Sequence, residues 1–169
     1  MKKIIISIVT TLLFLPVASQ ADDIKVGILM GFTGPIESLA AGIAGGAKLA
    51  ISEANNSGNL FGGNTVSAVE GDTTCVDAAA ATASAERLIN ADQVVAIVGA
   101  LCSGSTIAAA GNVAIPNGVV MISPASTAPS VTGLDDNGLI FRTAPSDARQ
   151  GKVLADVLRE KQIRNVAVT

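Results

Sequence analysis

The sequence predicts an α/β protein built on a doubly wound parallel sheet, and three observations carry that expectation. Short β-branched runs alternate with alanine-rich segments of helical length through the whole of residues 24–169, which is the rhythm of a parallel sheet with crossover helices. The clearest run, Val94-Val-Ala-Ile-Val98, is apolar without interruption, as a strand covered on both faces must be. Each run is also delivered into a loop of glycine, serine, threonine or proline, so polar chemistry gathers at the carboxyl ends of strands.

Residues 1–21 stand apart. Lys2 and Lys3, an apolar core over 4–17 and the small-residue ending Ser19-Gln-Ala21 read as a secretory signal peptide, with a core short for a spanning helix. Without them 148 residues remain, enough for one modest domain with a real core. The formal charge moves from −3 to −5, since 9 basic residues then face 14 acidic ones. An acidic chain without basic clusters argues against nucleic acid and against anionic membrane surfaces as partners. The composition has no Trp, Tyr or His, so no histidine serves as a base or a metal ligand within this chain.

The elements follow in order. Residues 24–29 are the opening strand, which Gly31-Phe-Thr-Gly-Pro35 turns into a helix over 37–53 with Ile43, Ala47, Ala50 and Ile51 along one side. Asn55-Asn-Ser-Gly58 stops it, Gly62-Gly63-Asn64 turns the chain, and residues 65–70 alternate as a second strand. After the loop 71–75 comes an alanine-rich helix over 76–90, then the strand 94–98, a polar loop at 100–106 and a helix to about Val113. Pro116-Asn-Gly118 breaks the chain before a fourth strand at 119–122. The loop Ser123-Pro-Ala-Ser-Thr-Ala-Pro129 and a short fifth strand at 139–142 follow. A second segment begins near Thr143. Asp147 with Gln150 fits a capping box, Val153, Leu154, Val157 and Leu158 mark an apolar helical face, and residues 165–169 start another strand. The chain stops inside that strand and reads as the front portion of a longer protein.

Ligands of open α/β sheets settle beyond the carboxyl ends of the strands, so the loops 31–35, 71–75, 100–106 and 123–129 are the candidates. They hold hydroxyls and glycines, and their only acid is Asp72, which reads as a loop residue. None offers a serine with a base beside it, and Glu70 with Asp72 does not make a glycosidase pair. Gly27, Gly31 and Gly34 miss the dinucleotide spacing, and no phosphate-binding G-x-x-x-x-G-K-[ST] occurs. No cofactor is implied. What remains is a hydroxyl-lined pocket at helix amino ends, the chemistry of a carboxylate or small zwitterion. Ser103 is placed to join it; the alternative for Ser103 or Ser105 is a helix cap. Cys75 and Cys102 in an exported chain point to one disulfide, the alternative being two buried free thiols. Zinc would need ligands that the chain lacks.

At this point the chain resembles the leucine/isoleucine/valine-binding family of periplasmic receptors, which feed ABC importers. The residues that carry the resemblance are Ile24-Lys-Val-Gly with Thr33-Gly-Pro35, Cys75 before the second helix, and Leu101-Cys-Ser-Gly-Ser-Thr106. The loop Ser123-Pro-Ala-Ser-Thr-Ala-Pro129 and Phe141-Arg-Thr143 with Asp147 and Gln150-Gly151 complete the set. The resemblance implies a type I periplasmic-binding-protein fold of two lobes that hinge shut on a ligand, with lobe I at 22–142 and the crossover and start of lobe II at 143–169. It implies a Cys75–Cys102 disulfide, and a ligand carboxylate held by Ser103 and Thr127 with backbone groups at Ala125 and Ser126. Asp147 would lie near the ligand ammonium, although helix capping explains it equally well. The partners implied are an amino acid or related small ligand and an ABC transporter membrane permease, with a periplasmic location and a monomer when full length. The protein would be a binding component and no enzyme. The rival class is a ligand-sensing ectodomain or regulator of the same fold acting on a signalling partner. Leu39 stands where branched-chain receptors place an aromatic over the ligand, so leucine-type specificity does not carry over; the family also takes amides, urea and aromatic acids. With one lobe supplying half of the enclosure, the chain as it stands is expected to bind amino acids only in the millimolar range or more weakly. It is also expected to expose the apolar face at 153–168.

Overall fold

The computed structural model describes residues 22–167; the expected signal peptide over 1–21 and the last two residues of the strand expected at 165–169 lie outside that range. Five strands form one parallel sheet: β1 (Asp23–Met30), β2 (Thr65–Asp72), β3 (Ala96–Gly99), β4 (Val120–Ser123) and β5 (Ile140–Arg142). Their order is β2-β1-β3-β4-β5. The crossovers hold α1 (Glu37–Asn56), α2 (Ala78–Glu86), α3 (Ser103–Ala109) and α4 (Pro129–Thr132), and α5 (Asp147–Glu160) follows the last strand. This is the doubly wound α/β architecture that the alternation predicts. Among the described residues, no helix is long and apolar enough to cross a membrane.

The order reverses at β1. The chain steps from β1 to β2 on one side and then to β3 on the other, pairing β1 with β2 from Asp23↔Thr65 to Met30↔Asp72 and with β3 from Val26↔Ala96 to Leu29↔Gly99. The loops leaving β1 and β3 therefore part in opposite directions and leave a crevice at the carboxyl edge, the place where open sheets receive ligands.

Side-chain alternation along each strand sorts the apolar residues into two clusters. Leu29, Ile97, Met121 and Ile140 pack with Leu88, Val113 and the alanines of α2 and α3 on one face. Ile28 and Met30 pack on Ala40 and Ala44 of α1 and on Leu101 on the other. Alanine lets α2 approach closely: Ala81 and Ala85 are fully buried, and a Cβ at Gly71 would stand 2.9 Å from Leu88 Cδ1. Asp77 caps α2 by accepting from the Ala79 amide at 2.8 Å. Both α2 and α3 run on through a wide five-residue turn, closed by Asp92 N–H to the Arg87 carbonyl and Ile115 N–H to the Ala110 carbonyl.

Several boundaries and faces differ from the sequence reading. The inner side of α1 is Ala40, Ile43, Ala44 and Ala47, at true helical spacing, and Ala50 faces solvent. The third strand begins at Ala96: Val94 is buried ahead of it against the α2 side, and Val95 is exposed. The short helix α4, with Pro129 at its first position, went unanticipated. Ser146, not Asp147, caps α5, its hydroxyl accepting from the Ala148 amide at 3.3 Å. Residues 163–167 are irregular, so the strand expected from Asn165 is not formed over the described residues. As expected, α5 shows Val153, Leu154 and Val157 to solvent and buries none of its residues. On the α1 side of the sheet, α1 packs chiefly on β1 and β2. Val98, Ile122 and Phe141, neighbours by register, continue that face, with Ile122 41% and Phe141 52% exposed.

Candidate functional site

The carboxyl edge carries four loops, at 31–36, 73–77, 100–102 and 124–128, and the structure ties them together in pairs. After β1 and β2 the link is Asp72. Its carboxylate accepts from the Thr33 hydroxyl at 2.5 Å, the Thr33 amide at 3.3 Å and the Thr74 amide at 2.9 Å. Burial alone would push the Asp72 carboxyl up, but the Thr33 hydroxyl and the amides of Thr74, Thr33 and Phe32 outweigh it and hold its pKa below the ordinary carboxylate value. Gly34, at φ 96°, brings the β1 loop so close that a Cβ there would stand 2.5 Å from the Thr74 carbonyl oxygen. Asp72 thus closes β2 and latches two loops.

Cys75 and Cys102 form the expected disulfide, with their Cα atoms 5.5 Å apart, inside the range such a bond spans. It joins the loops after β2 and β3, the two strands flanking β1, and so passes over the exit of β1. A Cβ at Gly31 would lie 3.1 Å from Cys75 Sγ.

The loops after β3 and β4 are joined by buried hydroxyls. The Ala100 carbonyl accepts from Ser123 Oγ at 2.7 Å, Thr106 Oγ1 at 3.1 Å and Ser126 Oγ at 3.4 Å, and Thr106 and Ser126 share a further bond of 2.7 Å. The Ser126 amide turns inward as well, to Ser123 Oγ at 3.0 Å. Ala125 is half-buried beside the α1-side cluster. Thr106, Ser123 and Ser126 are all buried; the sequence reading names Ser126 only for its backbone and places these hydroxyls in pocket-lining loops, not in a bonded set turned into the fold. Hydroxyl-rich loops were visible, but which hydroxyls face inward depends on the turn each loop makes.

Ser103 lies at the junction. The residue preceding α3 is Cys102, and no side chain caps the helix, so the capping role considered for Ser103 or Ser105 is not taken. Instead Ser103 Oγ accepts from the Ala128 amide at 3.2 Å, which leaves its own proton free to donate. The amides of Ser103, Gly104 and Ser105, and that of Thr127 across the gap, have no acceptor among the described residues. Thr127 in turn donates its hydroxyl to Asp147 Oδ2 at 3.0 Å, while the Asp147 amide donates to the Thr127 carbonyl at 2.9 Å. The predicted residues therefore converge: Ser103 meets the 123–129 loop, and Thr127 meets Asp147. Unpaired amides and a hydroxyl proton at the amino end of a helix attract an anion, and the Asp147 carboxylate beside them attracts a cation. Among the described residues, no group of three or more Cys, Asp or Glu gathers to hold a metal.

A family profile described as "Periplasmic binding protein" matches residues 23–169. The Leu/Ile/Val/Thr-binding protein of Salmonella typhimurium is 36% identical over 141 residues, 83% of this chain and 37% of the relative. A branched-chain amino acid transporter substrate-binding protein of Streptococcus pneumoniae, solved with isoleucine, superposes with a TM-score of 0.72 at 31% identity, covering 82% of this chain and 38% of that one. A solute-binding protein of an ABC transporter from R. palustris, solved with 4-hydroxybenzoate, superposes with a TM-score of 0.69 at 26% identity, covering 83% and 36%. The chain spans 37% of the length of the curated relatives it matches.

Proposed function

The chain belongs to the periplasmic binding protein family, and on that premise we propose that it is the ligand-binding lobe I and the start of lobe II of an amino-acid receptor. The lobes divide at residues 22–142 and 143–169. The receptor is the periplasmic, non-catalytic component of an ABC importer, handing its ligand to a membrane permease and working as a monomer. The observation that carries this reading is the paired polarity of the edge: anion-seeking amides at 103–105 and Thr127, with the Asp147 carboxylate bonded to Thr127. That pairing matches the two ends of a free amino acid. The ligand carboxylate takes the Ser103 hydroxyl and the Thr127 amide and hydroxyl, its ammonium takes Asp147, and the backbone at Ala125 and Ser126 frames the site. An aromatic acid without an ammonium, such as that held by the R. palustris protein, would leave Asp147 facing the ligand with nothing to bind.

Leu39, 60% exposed in the first turn of α1, stands at the rim of this edge. It offers apolar contact without an aromatic face, so the side-chain preference of the site is its own. Calorimetric titration of the complete protein with a panel of proteinogenic amino acids and with 4-hydroxybenzoate tests the reading. An amino acid should bind and the aromatic acid should not; binding of the aromatic acid with no response to any amino acid would refute it.

A further inference from the structure

A half-buried guanidinium stands behind the loop that carries Thr127. Arg142 ends β5, where its register partner is Ser123, the residue from which that loop departs. Its Nη1 donates to the Ala128 carbonyl at 2.9 Å and to the Ser126 carbonyl at 3.4 Å, and its Nη2 donates to the Thr132 hydroxyl. The two carbonyls belong to the residues on either side of Thr127. Among the described residues no carboxylate lies within ion-pair distance of Arg142. Its charge is met by neutral oxygens alone, and withdrawing an arginine from water on those terms costs solvation that a neutral brace would not.

We infer that Arg142 is a positioning residue of the carboxylate subsite, fixing the Thr127 peptide and lending it positive charge from behind. This rests on the reading of the site given above. The Ser126 carbonyl and the Thr127 amide are two ends of one peptide group. A guanidinium on the carbonyl draws electron density from the amide and makes it a stronger donor, and that amide has no acceptor among the described residues. The bond to the Ala128 carbonyl holds the Ala128–Pro129 peptide, and across the same Cα the Ala128 amide donates to Ser103 Oγ. One side chain thus governs both halves of the subsite. The fork reaches both carbonyls and Thr132 together, which a lysine ammonium would not reproduce. The charge favours a carboxylate over an uncharged group of the same shape, whereas the geometry favours both alike.

The complete wild-type protein and its R142Q and R142K variants, titrated with the amino acid that binds best and with the carboxamide of that amino acid, separate the two contributions. R142Q keeps an N–H donor and loses the charge; it should bind the amino acid about tenfold more weakly, the scale of a lost charge-assisted contact, while the carboxamide changes far less. R142K keeps the charge, so its preference for acid over amide should stay near that of the wild type even as both affinities fall. If R142Q does not fold, R142M serves as the neutral variant. Equal loss for acid and amide in a folded neutral variant would reduce Arg142 to a structural brace and overturn the inference. Failure of the wild type to bind any amino acid would instead overturn the functional reading beneath it.

Discussion

Thr127 and Asp147 are joined twice, by the Thr127 hydroxyl to the Asp147 carboxylate at 3.0 Å and by the Asp147 amide to the Thr127 carbonyl at 2.9 Å. The bond is possible because Ser146 caps α5 and leaves the Asp147 side chain free to reach across. On the function proposed above, a zwitterion entering this pair would exchange one bond for two: its ammonium would replace the Thr127 hydroxyl at Asp147, and the released hydroxyl would turn to the ligand carboxylate. A ligand without the ammonium would strip Asp147 of a donor and return none.

Thr127→Ala should therefore weaken amino-acid binding by about 1–3 kcal/mol, as for a lost bond to a charged group. The pair is exposed, so the ligand-free unfolding temperature should hardly move. Calorimetry with thermal unfolding checks this. A fall in stability with unchanged affinity would assign Thr127 a structural role.

Replacing both Cys75 and Cys102 by alanine should lower stability by about 3.5 kcal/mol or less, the chain-entropy value for a loop closed across 27 residues. Urea unfolding of the oxidised parent and the double variant measures it. Indistinguishable midpoints would mean that the bridge does not restrain the unfolded chain.

Asp72 gives the fold a defined acid response. Its pKa is held below the ordinary value of an aspartate, so its contribution is present above that ordinary value and is lost as pH falls through the lower folded one. Wild type and Asp72→Asn should therefore differ in stability by a constant amount down to about pH 4 and converge below it. Thermal unfolding across pH follows the difference; a gap that widens on acidification would contradict the assignment.

The interior of α1 holds Gly42, Gly45 and Gly46, and a Cβ built at Gly45 meets nothing within 4 Å. Gly45→Ala should raise stability by about 0.5–1 kcal/mol through the unfolded chain. A lower unfolding temperature would show that something else requires the glycine.

Much of this was legible in the sequence because period and punctuation are local. The β-branched runs, the glycine and proline turns and the two cysteines gave the strands, the winding of the sheet and the bridge within a few residues. What escaped was set by contacts between loops. Nothing local distinguishes Ser146 from Asp147 as a cap; Ser146 takes the role, and Asp147 accepts from Thr127 instead. Arg142 reads as the end of a strand, since its oxygen partners come from the 124–128 loop and from α4, whose paths the sequence does not describe. The buried hydroxyls around the Ala100 carbonyl were hidden for the same reason. Ala50 was misplaced because a run of small residues carries a weak amphipathic signal, whereas Ala40 and Ala44 are fixed by the strand beneath them.

The slight footing of α1 has a consequence for how the edge behaves in time. Only Ala40 and Ala44 of its twenty residues are buried, and three glycines loosen it further. Its amide protons should exchange with solvent through local opening, while those of β1 and β3, paired on both sides at the centre of the sheet, wait for global unfolding. Leu39 rides on the first turn of that helix, so the rim of the site is a soft wall on a hard floor. A ligand of slightly different girth would be met by a tilt of α1, and the donors anchored on β3 and β4 would stay where they are.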